Sequence, residues 1–249
     1  MGKAVLDIRN VHKSFGSQQV LAGVNLVIEQ GLITTIIGRS GVGKSVLLKH
    51  IAGLIPPDKG DILFNGRSLV RLKGPVRRVF KRHFGYMFQN NALFDSMTVF
   101  ENIALPLQER TSLSQDEIRE RVMNIVGQLD LQEVPHKYPS QISGGMCKRV
   151  ALARALITEP EIILFDEPAT GLDPIRKNAV YQMITRCQRD FGFTAMIVSH
   201  DIPDVFYISQ KVAMLEKGKI IFEGTHEEII RCEEPVVRHF IEGKETYED

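Results

Sequence analysis

The chain has 249 residues, 43% of them hydrophobic and 24% charged, a composition that suits a globular unit with a sizeable core of its own. Thirty-one basic side chains against thirty acidic ones leave a formal charge of +1, which gives no support to bulk electrostatic capture of nucleic acid. No stretch approaches the ~20 consecutive apolar residues of a membrane helix, the first residues lack the apolar region of a secretory signal, and three widely spaced cysteines (Cys147, Cys187, Cys232) argue against a disulfide framework or zinc cluster. The expectation is a cytosolic, reduced protein.

In chain order, residues 4–8 and 20–28 show apolar alternation, with turn formers at Gly16-Ser17 and Gln30-Gly31, and predict short strands. Residues 32–37 form a β-branched apolar run that fits a buried strand, followed by a glycine-rich loop and a helix over 44–52, whose apolar face is Leu47, Leu48 and Ile51. Residues 61–64 and 84–88 predict further strands. Between Ile62 and Phe94 there is no acid, while Arg67, Arg71, Lys73, Arg77, Arg78, Lys81 and Arg82 supply seven cations. That stretch reads either as a solvated basic helix face or as a surface for anionic headgroups or an acidic partner.

From about residue 90 to 159 the texture is helical. Ser114-Gln115-Asp116-Glu117 predicts a helix cap, with Ile118, Val122, Ile125, Val126 and Leu129 at helical spacing behind it, and a further helix is predicted over 147–157. Residues 162–165 and 195–198 return as apolar strands, and 212–223 as a hairpin turning at Lys217-Gly218. The tail from Glu223 carries nine acids against three bases, and 235–242 shows an apolar face of Val236, Val237, Phe240 and Ile241. Strands alternating with helices predict an α/β fold with a mostly parallel sheet, interrupted by a helical insertion.

Gly38-Arg39-Ser40-Gly41-Val42-Gly43-Lys44-Ser45 fits the phosphate-loop pattern in its required strand-to-helix context. Glycines let backbone N–H groups curl around phosphate oxygens, and the helix N-terminus adds partial positive charge. Lys44 is placed to neutralise terminal phosphates and Ser45 to ligate Mg²⁺. The apolar strand ending in Asp166-Glu167 puts one carboxylate where it can hold the metal and the other where it can polarise a water. Ser143-Gly144-Gly145, ahead of the 147–157 helix, makes a second anion-binding helix end.

With these motifs in this order, the chain resembles the ATP-binding cassette (ABC) ATPases over nearly its whole length. The resemblance implies a P-loop fold with an antiparallel β subdomain and a helical subdomain (90–159) within a single domain (1–249). Ser143-Gly144-Gly145 resembles the signature loop, which closes over the γ-phosphate held by an opposite subunit. Phe15 resembles the aromatic that stacks on adenine, Gln89 the glutamine that senses Mg²⁺ and the transport domain, Gly171-Leu172-Asp173 the loop crossing the dimer interface, and His200 the histidine that contacts the γ-phosphate. ATP and Mg²⁺ are the implied ligands, and a homodimer sandwiching ATP is the implied assembly.

Finer features resemble the ATPases of Mla-type phospholipid transporters. They are Met146 in place of the usual signature glutamine, the stretch from Asn91-Ala92-Leu93-Phe94 on to Ile103, Thr170-Gly171-Leu172-Asp173-Pro174-Ile175, and Val237-Arg238-His239-Phe240-Ile241-Glu242-Gly243. A thioether donates no hydrogen bond, so Met146 forfeits a contact that an amide would make. That family implies transmembrane permease subunits, an MCE-domain lipid-binding protein, a STAS-domain regulator in some systems, and a place on the cytoplasmic face of the inner membrane. The apolar residues Leu93, Phe94, Met97, Val99 and Phe100 read as subdomain core together with a groove for a permease helix. The alternatives are an ATPase of a polar-solute importer and, from another class, a cytosolic ABC ATPase of DNA repair or translation.

Overall fold

The structure, a computed structural model, describes residues 2–243. Four acids and bases of the predicted acidic tail (Lys244, Glu245, Glu248, Asp249) lie outside the described residues. Two long strands, β1 (Ala4–Phe15) and β2 (Gln18–Glu29), form a hairpin through Gly16-Ser17 and pair antiparallel. The pattern in the sequence shows only parts of them because the pairing shifts register near Asn10, whose φ is 49°, and a bulge breaks the two-residue alternation. β4 (Lys59–Phe64) and β5 (Arg67–Ser68) complete a four-stranded sheet in the order β2-β1-β4-β5.

The second sheet has six strands. β3 (Ile33–Ile37), β6 (Phe84–Met87), β7 (Ile162–Asp166), β8 (Thr194–Ser199) and β9 (Lys211–Glu216) run parallel, and β10 (Lys219–Gly224) pairs antiparallel with β9. Their order is β10-β9-β3-β8-β7-β6, so the predicted mostly parallel sheet is present. Side chains on its two faces feed two cores. Ile36, Leu164, Met196 and Val198 join the antiparallel sheet and Leu47, Leu48 and Ile51 of α1 (Lys44–Ile51). Ile37, Phe165, Ala195 and Ile197 join the core on the opposite face. Burial on both faces explains why these strands read as continuous apolar runs.

That opposite core is covered by α3 (Val99–Arg110), α4 (Gln115–Gln128), α5 (Gly144–Leu156) and α6 (Pro174–Phe191). The expected Ser114 cap is a reciprocal box: Glu117 N donates to Ser114 Oγ at 3.3 Å and Ser114 N to Glu117 Oε2 at 2.7 Å. Residues 90–98 are turns rather than helix, and α3 begins only at Val99, where Thr98 and Glu101 form a second box. α5 starts at Gly144, not at residue 147, because Ser143 is its N-cap and accepts from Met146 N at 3.3 Å. α6 does not stand out in the apolar pattern, yet its ends are marked by Asp173 as N-cap, Pro174 in the first turn and Gly192 at φ 71°.

Among the described residues no helix is long and apolar enough to cross a membrane, and all three cysteines are free thiols. α7 (His226–Ile230) and α8 (Pro235–Ile241) close the described chain. Val237 is fully buried and Phe240 and Ile241 pack on the same core, so most of the terminal apolar face is spent on its own domain.

Candidate functional site

β3, β8, β7 and β6 lie side by side in the parallel sheet, and their C-terminal ends deliver most of the predicted site residues to one edge. After β3 comes the loop from Gly38 to Gly43, and then α1. Gly38 has φ 151°, and a Cβ there would stand 2.3 Å from the Leu215 carbonyl oxygen, so the loop needs glycine where it passes β9. Gly43, at φ 107°, is the N-cap of α1. Gly41 and Val42 lie between them, and Arg39 and Ser40 complete the loop.

Lys44 is 4% exposed, and its Nζ donates to the Gly38 and Arg39 carbonyls at 2.7 and 2.8 Å. Burial holds its pKa below the ordinary lysine value, with Glu167 and Asp166 opposing that shift through their negative charge. A buried cation at a helix N-terminus, lined by backbone donors, suits a multiply charged phosphate chain.

Asp166, at the end of β7, is 5% exposed and holds both of its oxygens in hydrogen bonds. Ser45 Oγ donates to Oδ1 at 2.6 Å, and Tyr86 OH donates to Oδ2 at 2.9 Å. Burial, reinforced by the Asp166 charge, pushes the Tyr86 phenol above its ordinary pKa, so Tyr86 stays a donor. Tyr86 was not among the residues expected in the site. The only signal in the sequence is a phenol in an otherwise apolar strand, three residues before Gln89.

Glu167 follows at φ 50°, a backbone region that is costly for a non-glycine residue. Its carboxylate is held from three sides. Gln89 Nε2 donates to Oε2 at 2.9 Å, Thr170 Oγ1 donates to the same oxygen at 3.0 Å, and His200 Nδ1 stands 3.2 Å from Oε1. The turn is braced from below by Lys148 of α5, a 5%-exposed lysine whose Nζ donates to the Pro168 carbonyl at 2.5 Å. Lys148 is a further residue that motif reading missed and carries no local mark, while Thr170, read only as part of the 170–175 loop, sits at the i+3 spacing of a side-chain turn.

Lys44, Ser45, Gln89, Asp166, Glu167 and His200 are therefore one connected cluster. Phe15 and the Ser143 loop stand outside it. Phe15 is 49% exposed, with Lys13 Nζ 5.4 Å from its ring centroid, and Lys13 is itself tied to Asp58 at 2.8 Å. Ser143, Gly144 and Gly145 line a separate cavity of about 280 Å³ with Leu172, Arg176 and Met183. The chain from Glu167 through Thr170 to Leu172 connects the two places, turning through Thr170 N to Glu167 O at 3.3 Å and Leu172 N to Ala169 O at 3.3 Å.

The apolar cluster after Gln89 divides between the core and the rim of a cavity. Val99 is fully buried, Leu93 and Phe100 pack on the core, and Phe94 is 48% exposed beside a cavity of about 400 Å³. Leu54, Lys81, Phe88, Arg110 and Arg154 also line that cavity. Arg154 holds its rim by donating to the Asn91 and Ala92 carbonyls at 2.6 and 2.7 Å. Buried Asn102 pins the segment from within, accepting from Phe94 N at 2.8 Å and donating to Phe94, Met97 and Thr98 carbonyls at 3.0–3.1 Å.

A glycine loop opening a helix beside the central strand, with a strand-end carboxylate tied to the loop's serine, defines a P-loop nucleotide-binding ATPase. Residues 21–170 match the ABC transporter family, and the chain belongs to it. It is 35% identical to the intermembrane phospholipid transport system ATP-binding protein MlaF of Haemophilus influenzae, over 98% of this chain and 92% of that protein. It is 38% identical to a protein of Mycobacterium leprae described as a probable ribonucleotide transport ATP-binding protein, over 98% of this chain and 70% of that protein. Among solved structures, a dimeric ATP-binding cassette in a post-hydrolysis state with ADP and Pi superposes with a TM-score of 0.78 at 31% identity, covering 88% of this chain and 98% of that one.

Proposed function

We propose that this ABC ATPase hydrolyses ATP to power a membrane transporter of phospholipids, moving them between inner and outer membranes. The observation that carries the chemistry is the joining of two carboxylates to opposite tasks within one cluster, Asp166 to Ser45 and Tyr86, and Glu167 to Gln89, Thr170 and His200. The lipid substrate is supported by the near full-length similarity to MlaF.

In this reading, residues 1–249 form one ABC domain, with 90–159 as its helical subdomain. Loop N–H groups from Gly38 to Gly43 and Lys44 bind the phosphates, and Phe15 stacks on adenine. Ser45, Asp166 and Gln89 would hold Mg²⁺, which supplies charge neutralisation at the phosphate oxygens and takes few protein ligands because phosphate and water complete its shell. Glu167 orients and deprotonates the attacking water, while His200 positions Glu167 and contacts the γ-phosphate. Ser143, Gly144 and Gly145 act on the ATP of a second copy, so the working form is a two-fold dimer.

The cavity beside Phe94 receives a helix of a transmembrane permease, and Gln89 at the end of β6 couples its movement to the nucleotide. An MCE-domain lipid-binding protein and, in some assemblies, a STAS-domain regulator complete the complex on the cytoplasmic face of the inner membrane. Glu167→Gln tests the core of this reading. The variant binds ATP, accumulates as a closed dimer on size exclusion, and loses hydrolysis by about two orders of magnitude or more, the scale of a positioned general base. Parental turnover would sink the assignment of Glu167, and recovery of a solute receptor instead of permease and lipid with the tagged chain would sink the substrate.

A further inference from the structure

α2 (Gly74–Lys81) is a helix without one fully buried residue. Its inner side is nonetheless anchored. Arg77 Nη2 donates to the Gly53 carbonyl at 2.6 Å, and the Phe80 ring meets Phe64 edge-on at 6.0 Å between centroids. This fixes which side looks outward. The outer side carries Val76 and Val79, one turn apart and 53% and 52% exposed, with Val70 39% exposed just before the helix. Around these valines stand Lys73, Arg78 and Arg82, all exposed and without an ion pair to any described residue. Between Ile62 and Phe94 the sequence has no acid at all, and two carboxylates that pair with the segment are engaged elsewhere on it: Asp61 lies 3.6 Å from Arg71, and Glu161 lies 2.7 Å from His83.

We infer that this face of α2 lies on an anionic phospholipid surface. Two adjacent valines amid uncompensated cations match a headgroup layer, in which aliphatic side chains sink to the acyl boundary and long basic chains reach lipid phosphates. A nucleic-acid partner would meet apolar side chains at the centre of the patch, where phosphate contacts need cations. The inner side of α2 borders the cavity beside Phe94, since Lys81 and Phe84 line both that cavity and the pocket under Arg77 and Phe80. The inference therefore rests on the proposal that the cavity takes a permease helix, which would bring α2 to the membrane holding that permease. The contact would supply an attachment in addition to the permease groove and would bias the ATPase towards anionic lipid.

The test uses the purified full chain in flotation with vesicles of phosphatidylcholine alone or with about a third phosphatidylglycerol. The chain is expected to float only with anionic vesicles and to be released as salt approaches the range where the Debye length falls to about 3 Å. Each cation near such a surface is worth about fivefold in binding, so Arg78→Glu/Arg82→Glu lowers it at least 25-fold. Val76→Ser/Val79→Ser weakens binding while preserving its salt dependence, and neither variant changes ATPase activity in solution. Equal flotation with neutral vesicles, undiminished flotation of the charge-reversed chain, or no flotation of the parent would overturn the inference. So would a charge reversal that leaves vesicle binding intact but abolishes assembly with the permease, since the partner would then be an acidic protein surface. Co-purification of permease and lipid with the parental chain tests the transport reading separately, and its failure leaves the flotation result standing.

Discussion

Tyr86→Phe removes one oxygen and nothing else. The ring remains, stacked on Phe88 with centroids 4.2 Å apart, so no cavity opens. What is lost is the 2.9 Å bond to Oδ2 of Asp166, a carboxylate only 5% exposed whose other oxygen is occupied by Ser45. A hydrogen bond to a buried charge contributes about 1.5–3 kcal/mol, and little water can enter to replace it. Thermal unfolding of the nucleotide-free chain should therefore fall by about 3–12 °C, from roughly 2–4 °C per kcal/mol for a chain of this size. The same loss frees the carboxylate to rotate away from the position in which Ser45 and Asp166 would share Mg²⁺ under the proposed function. The Mg²⁺ concentration giving half-maximal ATPase activity is expected to rise about tenfold, the equivalent of 1.4 kcal/mol, while ATP binding in EDTA stays unchanged. An unfolding temperature and a Mg²⁺ dependence both indistinguishable from the parent would refute the reasoning.

Asn102→Ala leaves the Phe94 N–H and up to three carbonyls without their side-chain partner, and urea denaturation should show about 2–4 kcal/mol of lost stability; a change under 0.5 kcal/mol would contradict the pinning role. Phe94→Glu places a charge in the groove and is expected to uncouple hydrolysis from lipid transport in the reconstituted complex with ATP binding intact; normal transport would refute the groove. Gly38→Ala forces a Cβ to within 2.3 Å of Leu215 O, so ATP affinity and thermal stability should both drop, and parental values would show that the loop has slack. Burial pushes the Cys187 thiol up to about 11 from an ordinary value of 9.0. Its contribution is fully present below pH 9 and is lost as pH rises through 11, because the unfolded chain releases that proton first. The parent should lose about 2–3 kcal/mol relative to Cys187→Ala across that window, and parallel stability curves for the two would refute it.

Motif chemistry is local, and it was legible. The loop from Gly38 to Ser45 and the Asp166-Glu167 pair were readable because each depends on residue type and spacing within a few positions. The Ser114 cap was readable for the same reason, since a capping box closes within one helical turn. α6 is the opposite case: its amphipathic stripe of Val180, Tyr181, Ile184 and Cys187 is diluted by charged neighbours, although Asp173, Pro174 and Gly192 mark both ends. The basic stretch was visible as charge, but only the folded helix shows Arg77 turned inward and Val76 and Val79 turned out.

The sequence by itself determined that a phosphate-loop pattern lies between a strand and a helix, and that a carboxylate pair ends an apolar strand. Only the tertiary structure decided which partners those groups keep. Lys44 and Ser45 follow β3, His200 follows β8, Asp166 and Glu167 close β7, and Gln89 follows β6, and these strands become neighbours only through the order β3-β8-β7-β6. Parallel pairing needs long crossovers, so strands adjacent in space are distant in the chain. No local spacing could place the Tyr86 phenol on Asp166, eighty residues away, or leave Ser143 facing a cavity of its own.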